Sequence, residues 1–370
     1  MVPLLGPSPA ELNQLGSPPA SFMTDDHTPL EISWAIGSRG DMAVRFVVES
    51  LDGNNGSSLS PGESLKDLGL FCPVQQAEVD LTWIDICRKT LLVENPPQSS
   101  RREDSSQIFI GGDLQRDQYG IVGKMYFIPH LRAAIQGLGL SHGWKILGEH
   151  LESLPEVDRP TPTMVAIDCL EPAKNRAKVY VRVPESSSSF NAIARLLTLG
   201  GQICDQSVEY TLSALRRLWG LLFPGVGEDE PLLCRGGQEY YPRGFVLYYE
   251  MALARRVPIP KVYIPVRHYC DTDEQIAAAI SQYLMDGGLT EIGEGYKMNL
   301  ETMFQHRDLG ARTGIHTYIG ICTKEGSEGP VVYSYLSSEA FAPERDQLSL
   351  SYRPSTLRKL REEGLLPSAP

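Results

Sequence analysis

A Lys-x-Tyr pair that recurs along the chain constrains its fold more than any other sequence feature. The copies are Lys124-Met-Tyr126, Lys178-Val-Tyr180 and Lys261-Val-Tyr263, with His316-Thr-Tyr318 as a variant. Residues two apart on a β-strand point to the same face, so each pair places a cation beside an aromatic ring. Around the second copy, Arg176 and Arg182 extend this face, whereas the alternate positions 177, 179 and 181 are alanine and valine. The repeat therefore predicts strands with one cationic, aromatic face and one apolar face.

The rest of the sequence divides into short predicted strands and longer predicted helices. Runs of β-branched and aromatic residues predict strands at 43–49, 120–128, 177–183, 261–266, 317–322 and 331–336. Apolar residues at helical spacing predict helices at 191–198, 208–222 and 273–285. A doubly wound parallel sheet needs near-continuous aliphatic strands, so the interleaved lysines and tyrosines favour an antiparallel sheet in an α+β protein.

Two interpretations of the repeated face remain open at this point. A single Lys-x-Tyr pair fits the solvated outer face of an edge strand, where lysine prevents edge-to-edge association. Three copies and a variant instead favour a closed barrel with helices outside, because closure brings all the cationic faces into one lumen.

Composition excludes several classes of partner. The 370 residues contain 34 Lys and Arg against 46 Asp and Glu, a formal net charge of −12. This charge repels polyanions, so we expect neither a nucleic acid nor an anionic membrane as a partner. The seven cysteines are scattered singly, as is typical of reduced thiols, and the sequence has no signal-peptide pattern and no apolar run long enough for a membrane span. We therefore expect a soluble, cytoplasmic protein.

A lumen of cations and tyrosines suits one kind of chemistry. Lysines and arginines can hold a diphosphate, and stacked tyrosines can shield an allylic cation from water. A DDxxD magnesium motif is missing from the sequence, and its nearest approach, Asp25-Asp26, lacks the third carboxylate. We therefore expect basic side chains to neutralise the leaving group, with no metal and no cofactor.

Eight sequence blocks carry a family resemblance that spans nearly the whole chain. They are VPLLGPSP (2–9), TDDHTPLEISW (24–34), VRF (44–46), GKMYFIP (123–129), RAKVYVR (176–182), TLGG (198–201), PKVYIPVRHY (260–269) and HTYIG (316–320). In these blocks the chain resembles the dimethylallyl tryptophan synthase family of fungal indole prenyltransferases. Each block is weakly specific alone, but their number and order make the resemblance strong.

The resemblance implies a fold and a reaction. The fold is a closed ten-stranded antiparallel β-barrel with helices outside, the ABBA or PT barrel, built from five ααββ-type units. We expect residues 1–342 to form this barrel domain, with part of the N-terminal helical region lacking, and residues 343–370 to form a partly flexible tail. The reaction is metal-independent transfer of a dimethylallyl group from dimethylallyl diphosphate to an indole in secondary metabolism, with release of diphosphate.

The resemblance also implies roles for individual residues. Glu31, in the TPLE motif, is the catalytic residue, which hydrogen-bonds the indole N–H and assists proton removal. Five residues, here called the basic cluster, bind the diphosphate: Arg45, Lys124, Arg176, Lys178 and Lys261. Four residues, the tyrosine shield, cover the allylic cation: Tyr126, Tyr180, Tyr263 and Tyr335. Without the resemblance, Glu31 fits a solvated turn carboxylate, whereas Arg45, set between apolar strand residues, requires an anionic partner.

Three positions depart from the family pattern. Lys261 stands where many relatives have glutamine, and Val331 stands where relatives often have a further shield tyrosine, for which Tyr333 is a candidate substitute. Ile110 aligns roughly with a lysine that the tryptophan C4 enzymes use as a base. The absence of that lysine, together with the YYEMALARRVPIPKVYIPVRHY block, favours a tryptophan-containing cyclic dipeptide over free tryptophan as acceptor.

Alternatives stay open on the sequence alone. A non-catalytic barrel that binds an aromatic or isoprenoid ligand is one, and a prenyltransferase for free tryptophan or tyrosine is another. The sequence leaves open the position and mode of prenylation, the prenyl chain length, and whether the protein is a monomer or a homodimer. The tryptophans are expected in the core, and His268 and His316 are expected to be hydrogen-bonded structural residues.

Overall fold

The computed structural model describes residues 21, 23–51, 59, 64, 80–91, 108–114, 121–128, 135–234, 244–324, 327 and 329–345. Ten strands run in chain order: β1 Leu30–Gly37, β2 Met42–Val48, β3 Ile108–Leu114, β4 Ile121–Phe127, β5 Thr161–Asp168, β6 Ala177–Arg182, β7 Val246–Met251, β8 Ile259–Ile264, β9 His316–Cys322 and β10 Val331–Ser337. The α-helices within the described residues are α1 Thr82–Leu91, α2 Ser141–Ser153, α3 Phe190–Leu197, α4 Gln206–Leu222, α5 Val266–Tyr269, α6 Asp273–Asp286 and α7 Thr290–Met303.

The ten strands close into one antiparallel barrel. Each strand pairs with its neighbours in chain order, and β1 also pairs with β10, which removes both sheet edges. This confirms the predicted closed ten-stranded barrel and excludes the edge-strand interpretation of the Lys-x-Tyr repeat. The N-terminal region before residue 21 and the part of the predicted tail beyond residue 345 lie outside the described residues.

The outward faces of the strands and the helices form the apolar core. On β6, Ala177, Val179 and Val181 are completely buried against this layer, as their alternation with the charged residues predicts. Helices α3, α4 and α6 correspond to the three predicted helices. Each begins after a side chain that accepts a hydrogen bond from the first turn, namely Ser189, Asp205 and Thr272.

Four strands were not predicted from the sequence: β1, β3, β5 and β7. Their lumen-facing positions include polar or small residues, as in IFIGGDL of β3 and LEISWAIG of β1. Such strands lack the aliphatic density by which a strand is recognised. Closure of the barrel, which pairs every strand on both sides, stabilises them instead.

The His316-Thr-Tyr318 variant of the repeat does not behave as predicted. A register shift between β9 and β10 places Tyr335 opposite Tyr318 but Leu336 opposite His316, so that Thr317 is an extra residue. Tyr318 packs with the lumen tyrosines, whereas His316 is fully buried on the helix side, where its imidazole contacts Asp273 and Tyr296. His316 is therefore a structural histidine, and its pairing with Tyr318 on one face was wrong.

Among the helices in the described part of the chain, none combines the length and the apolar character that crossing a membrane requires.

Candidate active site

The strand register brings the three Lys-x-Tyr pairs together in the lumen. Lys124 lies opposite Asp168, Lys178 lies opposite Glu250, and Tyr248 lies between Tyr180 and Lys261. Directly opposed residues of an antiparallel sheet share a face, so these side chains line one cavity wall. Lys124, Lys178 and Lys261 are only 5%, 7% and 1% exposed, which solvated strand faces would not give.

Three acidic residues that the sequence interpretation did not assign lie among the basic cluster. Lys124 forms an ion pair with Asp113, and the Lys178 Nζ atom lies 3.3 Å from a carboxylate oxygen of Asp168. Arg176 reaches that same Asp168 at 2.7 Å and Glu250 at 3.4 Å. For Glu250 the sequence does carry a signal. Tyr248 and Glu250 are two residues apart, as in the Lys-x-Tyr pairs, with an acidic residue in place of the lysine.

The charges in this network control one another's ionisation. Burial opposes ionisation of Asp168, but Lys178, Lys124 and Arg176 together hold the pKa of its carboxyl well below the usual range. Burial and the neighbouring Lys178 lower the pKa of Lys124 to about 8. The acids therefore keep the basic side chains in place, and an anion entering the lumen would share those cations with them.

Arg45 has a protein partner that the sequence analysis did not foresee. Its Nε lies 3.1 Å from Asp113, and its guanidinium carbon is 5.1 Å from the ring centroid of Tyr333. Arg45 therefore has the anionic partner that its apolar strand neighbours require, and the protein itself supplies that partner. Its position in the lumen beside Lys124, which shares Asp113, keeps it next to the other members of the basic cluster.

The tyrosine shield forms a continuous row of rings across the lumen. Ring centroids are 6.3 Å apart for Tyr126 and Tyr180, 5.9 Å for Tyr180 and Tyr263, and 5.2 Å for Tyr263 and Tyr335. Burial raises the pKa of each of these phenols, so all four remain neutral hydroxyls at physiological pH. The wall is thus rich in π electrons and carries no fixed negative charge.

Two further tyrosines complete this wall. The ring of Tyr248 lies 5.4 Å from that of Tyr180, and the ring of Tyr333 lies 6.3 Å from that of Tyr335. Val331 also faces the lumen, in a cluster with Tyr333. Tyr333 therefore places an aromatic ring next to Val331, as expected for the substitute that the sequence analysis named.

Glu31 is half-buried on β1 and faces the same lumen. Its Oε1 atom accepts a hydrogen bond of 2.6 Å from Thr317. Burial raises the pKa of Glu31 to about 7, although Thr317, Arg267 and Lys261 act in the opposite direction. A solvated turn carboxylate would not show this, and a carboxyl group that titrates near neutral pH is suited to accepting a proton.

Ile110 and His268 occupy positions other than those the sequence interpretation assumed. Ile110 is buried in the core between the barrel and the helices, so a side chain at this position does not face the lumen. The neighbouring lumen position is Gly111, where an added Cβ atom would lie 3.1 Å from the ring of Tyr126. The inference about the acceptor that rested on Ile110 therefore loses its support. His268 lies on α5 and not on a strand, with its Nε2 3.7 Å from Asp25.

Within the described residues, no group of three or more histidine, cysteine or acidic side chains is arranged to hold a metal ion. Three carboxylates of the lumen, those of Asp113, Asp168 and Glu250, instead contact lysine and arginine.

Comparisons with known proteins agree with the barrel and its lumen. A family model described as tryptophan dimethylallyltransferase matches residues 1–299. The chain is 31% identical to a 4-O-dimethylallyl-L-tyrosine synthase of Claviceps purpurea, over 83% of this chain and 73% of that protein. It is 27% identical to a 7-dimethylallyltryptophan synthase of Aspergillus fumigatus, over 88% and 75% of the two chains. The crystal structure of AnaPT from Neosartorya fischeri shares the fold, with a TM-score of 0.71, 22% identity, and coverage of 91% and 85%.

A closed ten-stranded antiparallel barrel, with helices outside and basic and tyrosine side chains inside, is the architecture of aromatic prenyltransferases. The chain belongs to the tryptophan dimethylallyltransferase family. It is therefore an enzyme that transfers a prenyl group to an aromatic acceptor, and the resemblance given by the sequence blocks is confirmed.

Proposed function

We propose that this enzyme transfers a dimethylallyl group from dimethylallyl diphosphate to the indole ring of a tryptophan-derived acceptor and releases diphosphate. The observation that carries the proposal is the shared lumen, which holds the basic cluster, the tyrosine shield and Glu31. In this reaction the bond between the allylic carbon and the diphosphate oxygen breaks, and the oxygen keeps the electron pair. An indole carbon then forms the new C–C bond, and the proton that this carbon loses passes to the carboxylate of Glu31.

The basic cluster stabilises the departing diphosphate in this proposal. Four of its members, Arg45, Lys124, Arg176 and Lys178, are held in position by Asp113, Asp168 and Glu250, so little reorganisation of these four is needed as negative charge develops on the leaving group. Preorganised charge of this kind acts most strongly on the transition state, where the C–O bond is breaking.

The tyrosine shield protects the allylic cation in the same step. Four neutral rings in a row offer π faces to a positive charge and exclude water that would capture it. Glu31, with a pKa of about 7, is ionised in roughly half of the molecules at neutral pH and can accept a hydrogen bond from the indole N–H.

Two acceptors are considered for this reaction. A tryptophan-containing cyclic dipeptide is the first candidate, and it is now favoured by the YYEMALARRVPIPKVYIPVRHY block alone, because Ile110 does not face the lumen. A free aromatic amino acid is the second candidate, favoured by the 31% identity to a tyrosine-modifying relative and the 27% identity to a tryptophan-modifying one.

One assay tests both the reaction and the acceptor. The protein is incubated with dimethylallyl diphosphate and, separately, with L-tryptophan, L-tyrosine and a panel of tryptophan-containing cyclic dipeptides. We expect mass spectrometry to detect a product heavier by one C5H8 unit with at least one indole acceptor. Prenylation of free tryptophan or tyrosine but of no cyclic dipeptide would favour the second candidate, and no product from any of these acceptors would contradict the proposed acceptor class.

A further inference from the structure

Lys261 differs from the other lysines of the basic cluster in its partners. Lys124 and Lys178 both contact buried carboxylates, whereas Lys261 makes no ion pair with any residue that the structure describes. Its only hydrogen bond there is to the hydroxyl of Tyr335, at 2.7 Å. A buried ammonium group without a carboxylate is unstable relative to the neutral amine.

Aromatic rings enclose the Lys261 amine. Its Nζ atom lies 3.1 Å from the ring centroid of Tyr333, 4.6 Å from that of Tyr263, 5.1 Å from that of Tyr335 and 5.7 Å from that of Tyr248. Gly320 lets the side chain pack this closely, because an added Cβ atom at that position would lie 2.7 Å from the Lys261 Cε atom. Contacts with aromatic rings stabilise an ammonium ion less than a carboxylate does.

The charged neighbours of Lys261 are mostly positive. Burial and the nearby Arg45, Lys178 and Lys124 lower the pKa of Lys261 well below its usual range, although Cys322 and the carboxylate of Glu31 act in the other direction. The titratable and charged groups that face it from the packed strands are Glu31 on β1, Arg45 on β2, Lys124 on β4, Lys178 on β6, Tyr248 on β7, Tyr263 on β8, Cys322 on β9, and Tyr333 and Tyr335 on β10.

We propose that Lys261 is a neutral amine in the ligand-free enzyme and takes up one proton from solvent when a diphosphate binds in the lumen. The proton adds to the lone pair of Nζ, and no other bond changes. The diphosphate supplies a negative charge in direct contact with Lys261, whereas Glu31 interacts with Lys261 electrostatically without forming an ion pair. This inference rests on the proposed function, since it requires a diphosphate in the lumen.

The hydrogen bond to Tyr335 fits both protonation states. A neutral amine accepts the Tyr335 O–H hydrogen, whereas an ammonium donates to the same oxygen and leaves the phenol hydrogen to turn toward Tyr263, whose hydroxyl oxygen is 3.4 Å away. Proton uptake on Lys261 therefore reorients one hydroxyl of the tyrosine shield without moving its ring. The same lysine thus connects the basic cluster to the shield.

Isothermal titration calorimetry tests the proposal directly. Wild-type enzyme is titrated at pH 8.5 with dimethylallyl S-thiolodiphosphate, an analogue whose allylic C–S bond does not break to form the cation. The titration is repeated in buffers with different ionisation enthalpies. The dependence of the observed enthalpy on buffer gives the number of protons taken up. We expect the Lys261→Gln variant to take up fewer protons than wild type, by a difference approaching one, because glutamine is similar in size and cannot be protonated.

Arg176→Gln is the matched control, because it removes a cation of the basic cluster that does not titrate at this pH. We expect weaker binding by this variant but proton uptake equal to that of wild type. Binding to wild type without proton uptake, or equal uptake by wild type and Lys261→Gln, would overturn the role of Lys261 and leave the proposed function standing. If wild type does not bind the analogue at all, the proposed function itself fails, and the inference with it.

A second measurement does not use Lys261→Gln and therefore applies even if that variant binds too weakly or does not fold. When binding takes up a proton, the dissociation constant rises by up to about tenfold for each pH unit above the pKa of the ligand-free group. Because the pKa of Lys124 is lowered to about 8, we expect the affinity for the analogue to weaken progressively between pH 7 and 9.5 in Lys124→Gln as well as in wild type. A dissociation constant independent of pH over this range contradicts the proposal.

Discussion

Thr317 donates a hydrogen bond of 2.6 Å to the Oε1 atom of Glu31, although 286 residues separate the two in the chain. The contact depends on the bulge in β9, because Thr317 is the extra residue between His316 and Tyr318. The same hydroxyl lies 3.1 Å from the backbone oxygen of Tyr335, which is a second acceptor for its single hydrogen. Closure of the barrel through β1 and β10 thus joins the first strand to the last at the candidate base.

The pH dependence of turnover tests the role of Glu31. Burial raises its pKa to about 7, and only the ionised carboxylate can accept a proton. We expect kcat/KM for the acceptor to fall about tenfold for each pH unit below 7 in wild type. Glu31→Gln should lower kcat by a factor on the order of 10² and abolish this acid limb, with little change in diphosphate affinity.

Glu149→Gln, at an exposed carboxylate on helix α2, is the matched control and should retain the wild-type profile. If Glu31→Gln keeps nearly full turnover, Glu31 is a structural carboxylate and its assignment as base is wrong.

Substitution of Thr317 tests what sets the pH at which the acid limb of the turnover profile lies. Thr317→Val removes the hydrogen bond that favours the ionised form of Glu31, so the pKa of Glu31 should rise and the acid limb should move above pH 7. Thr317→Ser keeps the hydroxyl and should keep the wild-type profile. Turnover of both variants should approach that of wild type at pH 9. An unshifted limb in Thr317→Val would show that this hydrogen bond does not control the ionisation of Glu31.

The sequence predicts the lumen better than it predicts the strands around it. The alternation of Lys178 and Tyr180 with valines identifies the face of β6 correctly, because a period of two is a property of any strand. The partners across the lumen, such as Asp168 and Glu250, depend on register between strands that are far apart in sequence. The bulge that turns His316 outward is equally a property of pairing, and local spacing does not reveal it.

The different partners of the lysines predict opposite effects on stability. Lys124→Met leaves the carboxylate of Asp113 with Arg45 alone, so we expect a lower melting temperature and a loss of about 1–3 kcal/mol in the free energy of unfolding. Lys261→Met replaces an amine enclosed by aromatic rings with an apolar side chain of similar size, so the ligand-free protein should melt at a higher temperature. Calorimetric melting curves of both variants, without diphosphate, provide the comparison.

Stability changes of the same sign for these two variants would contradict the distinction between paired and unpaired lysines. Both substitutions should nevertheless weaken diphosphate binding, because each removes a donor to the anion.

Removal of divalent metals tests whether the basic cluster alone neutralises the leaving group. Five basic side chains face the lumen in this region, and the carboxylates among them contact lysine and arginine. We expect turnover to continue in excess EDTA, with at most a modest stimulation when magnesium or calcium is restored. Complete loss of turnover in EDTA, restored only by magnesium, would show that a metal ion is required.

The tyrosine shield predicts how the allylic cation is partitioned between acceptor and water. Tyr180 is central to the shield, since its ring contacts those of Tyr126, Tyr248 and Tyr263. Tyr180→Ala should admit water beside the cation, so that more dimethylallyl alcohol forms for each prenylated acceptor. Tyr180→Phe retains the ring and loses only a hydroxyl contact of 3.5 Å to Tyr263, so its product ratio should stay close to that of wild type. Turnover in ¹⁸O-labelled water measures the capture of the cation by water. Dimethylallyl alcohol that forms by this capture carries the label, whereas alcohol released by cleavage of the P–O bond does not. An unchanged yield of labelled alcohol in Tyr180→Ala would mean that Tyr180 does not exclude water from the cation.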